Sequence, residues 1–210
     1  MVRYPTPRRA AAARYRRRRP RHFGLESEDV AGAAHKLRRT LEASAADIAE
    51  SIGGVVVYRS DATYDLSVFL DSIKARHGKV LGLAAAAAQS WGSQQQVDAV
   101  EAQKQRRSQA IPELDAESWL VNKLVHNNDW ANGSVADFRP VLESARNFLV
   151  LFRCANPDCG SWVAVTGGPG SEEALRCACQ SYNLNLRKKK WCRHRPVRMG
   201  APSKPQRAPG

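Results

Sequence analysis

The sequence predicts an α+β fold, with a helical body, a small C-terminal β module and disordered basic tails. Three observations predict it: apolar residues recur at helical spacing through the body, alternating residues follow the first cysteine, and both chain ends are strongly basic. These patterns divide the chain into a basic arm over 1–25, a helical body over 26–153, a β module over 154–192 and a basic tail over 193–210.

Composition limits the class of protein. The chain has 210 residues, of which 43% are hydrophobic and 25% are charged, so it can build one modest core. Its longest apolar run, Val80 to Ala88, has nine residues, whereas a membrane-spanning helix needs about twenty. No apolar signal-peptide segment follows the basic N-terminus. We therefore expect an intracellular protein without a membrane partner.

Charge is divided unevenly along the chain. Residues 1–22 carry nine arginines and residues 187–210 carry nine lysines or arginines, with no acidic residue in either segment. The two ends therefore hold 18 of the 33 basic residues. The body between them, residues 23–186, has 15 basic and 20 acidic residues and a net charge of −5. The overall net charge of +13 thus belongs to the tails, which favours a polyanionic partner.

The N-terminal arm is predicted to be unfolded, because like charges repel each other and little apolar surface is available for burial. It contains a continuous basic run, Arg16, Arg17, Arg18 and Arg19, and two interleaved tyrosines. Arginines pair with phosphates and tyrosines stack on bases, so a nucleic-acid-binding arm is one interpretation. The other interpretations are a solvated tail without a function, or upstream DNA translated from a wrongly assigned start codon.

The body begins with a helix predicted over 26–52, where apolar residues recur at steps of three, four and seven and Gly53 follows as a stop. The residues of its apolar face are Val30, Ala34, Leu37, Leu41, Ala45, Ile48 and Ile52.

Two shorter helices are predicted next, over 65–76 and 79–91, with a break at His77 and Gly78 between them. The following stretch, 94–109, is polar, with few apolar residues. It is predicted to be a helix that is exposed to solvent or that needs a partner.

The last two helices of the body are predicted over 111–128 and 138–153, paired as an antiparallel hairpin. Asp115 is the predicted N-cap of the first helix and Asp137 that of the second. The second helix is strongly periodic, with an apolar face made of Val141, Leu142, Ala145, Phe148, Leu149 and Phe152.

Four of the five cysteines form two close pairs, with four residues between the members of the first pair and one between those of the second. A close pair supplies two metal ligands at little loop-closure cost, and structural zinc takes four thiolates in a tetrahedron. Free thiols or a single disulfide are the other interpretation. The predicted zinc ligands are Cys154, Cys159, Cys177 and Cys179, with Cys192 and His194 as alternates.

The residues between the cysteine pairs predict a hairpin. Apolar residues alternate over 161–166 and 182–186, and a glycine- and proline-rich turn follows the first of these strands. Two cysteine turns joined by a hairpin resemble the zinc-ribbon group. Gly160 after Cys159 is like the ribbon knuckle, where glycine relieves a tight turn, whereas Gln180 holds the equivalent place in the second pair. The resemblance implies a structural zinc ion.

The predicted zinc site is not catalytic, because four thiolates leave no position for water. No catalytic residues and no small-molecule substrate are predicted. The basic segment that follows the module contains a tryptophan, a combination typical of phosphate contact and base stacking. The predicted nucleic-acid contacts in this segment are Arg187, Lys188, Lys189, Lys190, Trp191, Arg193 and Arg195.

The leading hypothesis is therefore a non-catalytic zinc protein that binds DNA or RNA through backbone contacts, with little sequence readout. The alternative is a protein-interaction or assembly subunit in which zinc is purely structural. The polar stretch 94–109 and Trp130 favour this alternative.

Overall fold

The fold is α+β, as predicted. A computed structural model of the protein describes residues 30–57, 60, 64–126, 134–167 and 173–189, with the side chains of 31 and 118–126 left out. Four helices precede a small sheet within this part of the chain: α1 (Val30–Ile52), α2 (Leu66–Trp91), α3 (Gln94–His126), α4 (Val135–Val150), β1 (Ala164–Thr166), β2 (Ala174–Arg176) and β3 (Asn183–Asn185). The predicted basic arm and tail lie outside the described residues.

Helix α1 confirms the apolar face predicted for it. All seven residues of that face are buried, because a stripe at helical spacing falls on one side of the helix and packs inward. The helix ends at Ile52, and Gly53 follows with a φ of 72°.

Helix α2 runs without interruption through His77 and Gly78, so the predicted break there is wrong. The reason is tertiary packing. A Cβ atom at Gly78 would lie 3.3 Å from the guanidinium of Arg107, and Arg107 donates a hydrogen bond to the carbonyl of Lys74 at 3.0 Å. Glycine therefore makes room for a side chain of α3, and this packing outweighs its low helix propensity.

Helix α3 is also continuous, so the predicted separation of 94–109 from 111–128 is wrong, with Pro112 lying inside the helix. A buried stripe crosses the proline, formed by Val100, Gln103, Ala110 and Leu114. Asp115 is not an N-cap as predicted, because it lies mid-helix and its carboxylate pairs with the ammonium of Lys74.

Helix α4 begins one turn earlier than the prediction. Ser134 is the N-cap and forms a capping box with Asp137, whose backbone N–H donates to the serine hydroxyl at 3.3 Å. Asp137 is therefore the third helical residue and not the cap. Gln103 of α3 contacts Leu151 beyond the end of α4, and Glu113 contacts Asn147. These two contacts show that α3 and α4 pack antiparallel.

The three strands form one antiparallel sheet in the order β1-β2-β3. Leu175 of β2 pairs with Val165 on one side and with Leu184 on the other. Strand β1 contacts α1, and β3 contacts α2. Leu175 and Leu184 consequently belong to the same hydrophobic core as the helices. Among the described helices, none has the length and apolarity needed to cross a bilayer.

Candidate metal centre

The site lies where the last helix meets the sheet. After α4 the chain turns, and the backbone N–H of Val163 donates to the carbonyl of Phe152 at 2.8 Å. This bond, with a bridge between Arg153 and Trp162, closes a loop that carries the first cysteine pair. The second pair follows β2 directly.

The first cysteine turn is held by its own backbone. The N–H of Cys154 donates to the carbonyl of Ser161 at 2.9 Å. The N–H groups of Cys159 and Gly160 both donate to the carbonyl of Asn156 at 3.1 Å. These bonds fold the four intervening residues so that the two sulfur atoms point to the same side.

The second cysteine turn repeats this arrangement with a shorter loop. The N–H of Cys177 donates to the carbonyl of Tyr182 at 3.0 Å, and the N–H of Gln180 donates back to the carbonyl of Cys177 at 3.1 Å. The single residue between Cys177 and Cys179 is therefore enough to bring both sulfur atoms into the site.

The residue after each pair adopts the left-handed conformation. Gly160 has a φ of 52°, as the knuckle motif predicted, and Gln180 has a φ of 62°. Glycine takes this conformation freely, whereas a side chain there costs about 1–2 kcal/mol. The second turn thus keeps the same backbone path in spite of the missing glycine.

The four sulfur atoms form a compact cluster, all within 4.8 Å of one another. The Sγ atom of Cys179 lies 3.6 Å from that of Cys154 and 3.4 Å from that of Cys177. All four cysteines are free and not joined in disulfides. A tetrahedral zinc site with bonds of about 2.3 Å has sulfur–sulfur edges of about 3.8 Å. The geometry is therefore compatible with a metal ion held by Cys154, Cys159, Cys177 and Cys179.

The hydroxyl of Ser181 lies against three of these sulfur atoms. Its Oγ is 3.0 Å from Cys179, 3.3 Å from Cys154 and 3.6 Å from Cys177. A hydroxyl this close can donate a hydrogen bond to a thiolate and fix the direction of the sulfur. Ser181 thus contacts sulfur atoms of both cysteine turns.

Ser161 plays the matching role in the first turn. Its Oγ lies 3.1 Å from the sulfur of Cys159 and accepts a hydrogen bond from the backbone N–H of Ala178 at 3.0 Å. Ala178 is the residue between the second pair of cysteines, so this hydroxyl also connects the two turns. Sequence reasoning missed both serines. The signal was a Cys-x-Ser pattern that follows each pair, at 159–161 and 179–181.

The thiols differ in how readily they ionise. Burial raises the pKa of the Cys154 thiol to about 11. Hydrogen bonds from the hydroxyls of Ser161 and Ser181 lower the pKa of Cys159 and Cys179, respectively. Because a metal binds the thiolate form, the two serines favour binding at the more exposed ligands, and a bound cation would offset the burial of Cys154.

The basic residues predicted to bind nucleic acid are described only in part. Arg187, Lys188 and Lys189 are exposed and follow β3. The Nε atom of Arg187 lies 3.8 Å from the carboxylate of Glu173. The remaining predicted contacts, and both alternate ligands, lie outside the described residues: Arg16, Arg17, Arg18, Arg19, Lys190, Trp191, Arg193, Arg195, Cys192 and His194.

Comparison of the chain with models of protein families, with curated proteins and with solved structures finds no match. The interpretation of the site therefore depends on its own geometry and chemistry.

Proposed function

We propose that this protein is a non-catalytic zinc protein that binds nucleic acid with little sequence specificity. The sulfur cluster would hold one zinc ion and stabilise a zinc-ribbon-like module. The exposed basic segment that leaves this module would contact phosphates. The observation that carries the proposal is the convergence of four cysteine sulfurs within 4.8 Å at the base of a strongly basic segment.

Zinc is the metal that the donor set favours. Four thiolates in a compact tetrahedral arrangement select zinc or an iron centre among common protein metals. Both turns present short loops with backbone and hydroxyl donors around the sulfurs, as expected for a closed structural site. A zinc ion with four sulfur ligands has no position for water, so its role would be to hold the fold.

The backbone of the basic segment is hydrogen-bonded to the rest of the protein at two positions. The N–H of Leu186 donates to the carbonyl of Glu173 at 2.9 Å, and the N–H of Lys189 donates to the hydroxyl of Ser90 at 2.9 Å. The basic side chains between these two hydrogen bonds are exposed. Cations held in this way bind phosphates with less loss of conformational entropy than cations on a free tail.

Salt-dependent binding tests the proposal. We expect the full chain to bind a labelled duplex in fluorescence anisotropy and to lose most of its affinity between about 50 mM and about 200 mM salt. The double variant Lys188→Gln/Lys189→Gln should bind more weakly and with a smaller salt slope. The matched control Lys36→Gln/Lys79→Gln removes two exposed lysines elsewhere and should leave both quantities unchanged. The proposal fails if the wild type binds neither this duplex nor a single strand of the same length at the lower salt concentration, or if both variants weaken binding equally.

The alternative function is an assembly subunit in which the zinc is purely structural. The stretch 94–109, which favours it, is a mostly exposed part of α3 in which Val100 and Gln103 are buried. Trp130 lies outside the described residues.

A further inference from the structure

A tryptophan outside the predicted interface lies beside the basic segment. Trp91 is the last residue of α2 and 44% of its surface is exposed. Gly92 follows as the C-cap. Part of the tryptophan surface is therefore accessible at the end of the helix.

The ring contacts the basic segment, which begins 96 positions later in the sequence. The indole N–H of Trp91 donates to the carbonyl of Arg187 at 2.9 Å. The ammonium of Lys189 lies 5.7 Å from the ring centroid, within the range of a cation–π contact. The N–H of Lys189 is in turn bonded to Ser90, the residue before Trp91. The partly exposed indole thus lies against the backbone of Arg187 and the ammonium of Lys189, both in the basic segment.

We infer that Trp91 is a stacking platform for an unpaired base, with Lys188 and Lys189 on the adjoining phosphates. This inference rests on the proposed nucleic-acid binding and adds that the preferred ligand is single-stranded. An aromatic ring with neighbouring cations binds single strands because every base has a face to stack, while the charges follow the backbone. The bases of a duplex are already stacked on one another, so the ring gains little from them. Arg187 contributes less charge than the lysines because Glu173 lies beside it.

The test compares four labelled probes by fluorescence anisotropy with the full chain: an oligothymidine of about 16 nucleotides, an oligouridine, an abasic strand and a duplex of the same length. The thymidine and uridine arms separate DNA from RNA. The abasic strand keeps the phosphates but has no base to stack.

Three variants accompany the wild type. We expect Trp91→Ala to weaken binding of both base-bearing single strands by about ten-fold, and to leave the abasic strand and the duplex unchanged. Trp91→Phe keeps an aromatic face and should retain most of the affinity. The control Leu83→Ala changes another exposed apolar residue of α2, 47% exposed, and should have no effect.

The outcomes separate this inference from the proposed function. If Trp91→Ala weakens all four probes equally, the indole only positions the basic segment and the stacking inference is overturned. If the wild type binds every probe and Trp91→Ala changes none, the inference is also overturned while nucleic-acid binding stands. If the wild type binds no probe at about 50 mM salt, the proposed function itself fails.

Discussion

The sulfur atoms of Cys154 and Cys179 lie 3.6 Å apart, although 25 positions separate the two residues. One follows the last helix and the other follows the second strand, so their approach depends on the whole hairpin between them. Leu175 and Leu184 of that hairpin pack into the core shared with the helices. A change in the sulfur cluster, such as the loss of a bound metal ion, is therefore expected to change the free energy of unfolding of the helical body.

Ser181→Ala tests the role of the hydroxyl that contacts three sulfurs. Removing the hydroxyl deletes hydrogen bonds that orient and stabilise the thiolates, so we expect metal affinity to fall by about 10–100-fold. Competition with a chromophoric chelator measures this change. Ser108→Ala removes an exposed serine of α3 and should leave the affinity as in the wild type. Equal affinities of the two variants would show that Ser181 does not support the site.

Gln103→Ala tests the contact that joins α3 to the end of α4. The buried Nε2 of Gln103 donates to the carbonyl of Leu151 at 2.7 Å. Without it a buried carbonyl loses its partner, so we expect the free energy of unfolding to fall by about 1–3 kcal/mol. Gln105→Ala changes an exposed residue of the same helix, and its effect should stay within about 0.5 kcal/mol. Urea unfolding measures the free energy of unfolding of both variants. Equal losses of this free energy in the two variants would contradict the prediction.

His77 makes stability depend on pH. It is buried on α2 against the ring of Phe152, at 4.7 Å between centroids, and among the described residues its two ring nitrogens have no hydrogen-bond partner. Burial first, and the positive charge of Arg107 second, lower the pKa of His77 from 6.5 to about 3. The unfolded chain therefore binds a proton at a higher pH than the folded protein does, and acid favours unfolding.

The contribution of His77 should be fully present above pH 6.5 and should be lost as the pH falls toward 3. The loss is at most about 1.4 kcal/mol for each unit of pH. His77→Leu removes the titrating ring, and the cysteine cluster, whose metal binding also depends on pH, is the same in both proteins. We expect the stability of the wild type, measured by urea unfolding, to fall more steeply with acid than that of His77→Leu over this interval. Parallel curves for the two proteins would refute the prediction.

The prediction of helices from the sequence was correct where a local pattern of apolar residues is enough to determine the helix. The apolar face of α1 is an example, since its residues at helical spacing are all buried. The prediction was wrong at Gly78, which lies inside α2, and at the break between 109 and 111, which lies inside α3. At Gly78 the deciding contact is with Arg107, 29 positions away. No local pattern contains that contact, so tertiary packing could not be anticipated there.

The sulfur cluster could be predicted from the sequence because two close cysteine pairs on either side of a predicted hairpin are typical of a metal site. The serines were not predicted, because a lone serine has many uses and only the repeated Cys-x-Ser pattern distinguishes Ser161 and Ser181. The position of Trp91 beside the basic segment could not be predicted from the sequence either. It meets Arg187 only through the fold, at a sequence separation of 96.

Metal content of the purified full chain tests the central claim most directly. We expect one zinc ion per chain, retained by Cys192→Ser, which leaves the four-sulfur cluster intact, and lost on dialysis against a chelator by Cys179→Ser. Cys179 is exposed, so its substitution removes a ligand with little loss of core packing. Chelation of the wild type should lower its unfolding temperature, because the ion binds the folded state alone. A wild-type protein that is fully folded without metal, or a Cys179→Ser variant that holds zinc as tightly as the wild type, would contradict the account.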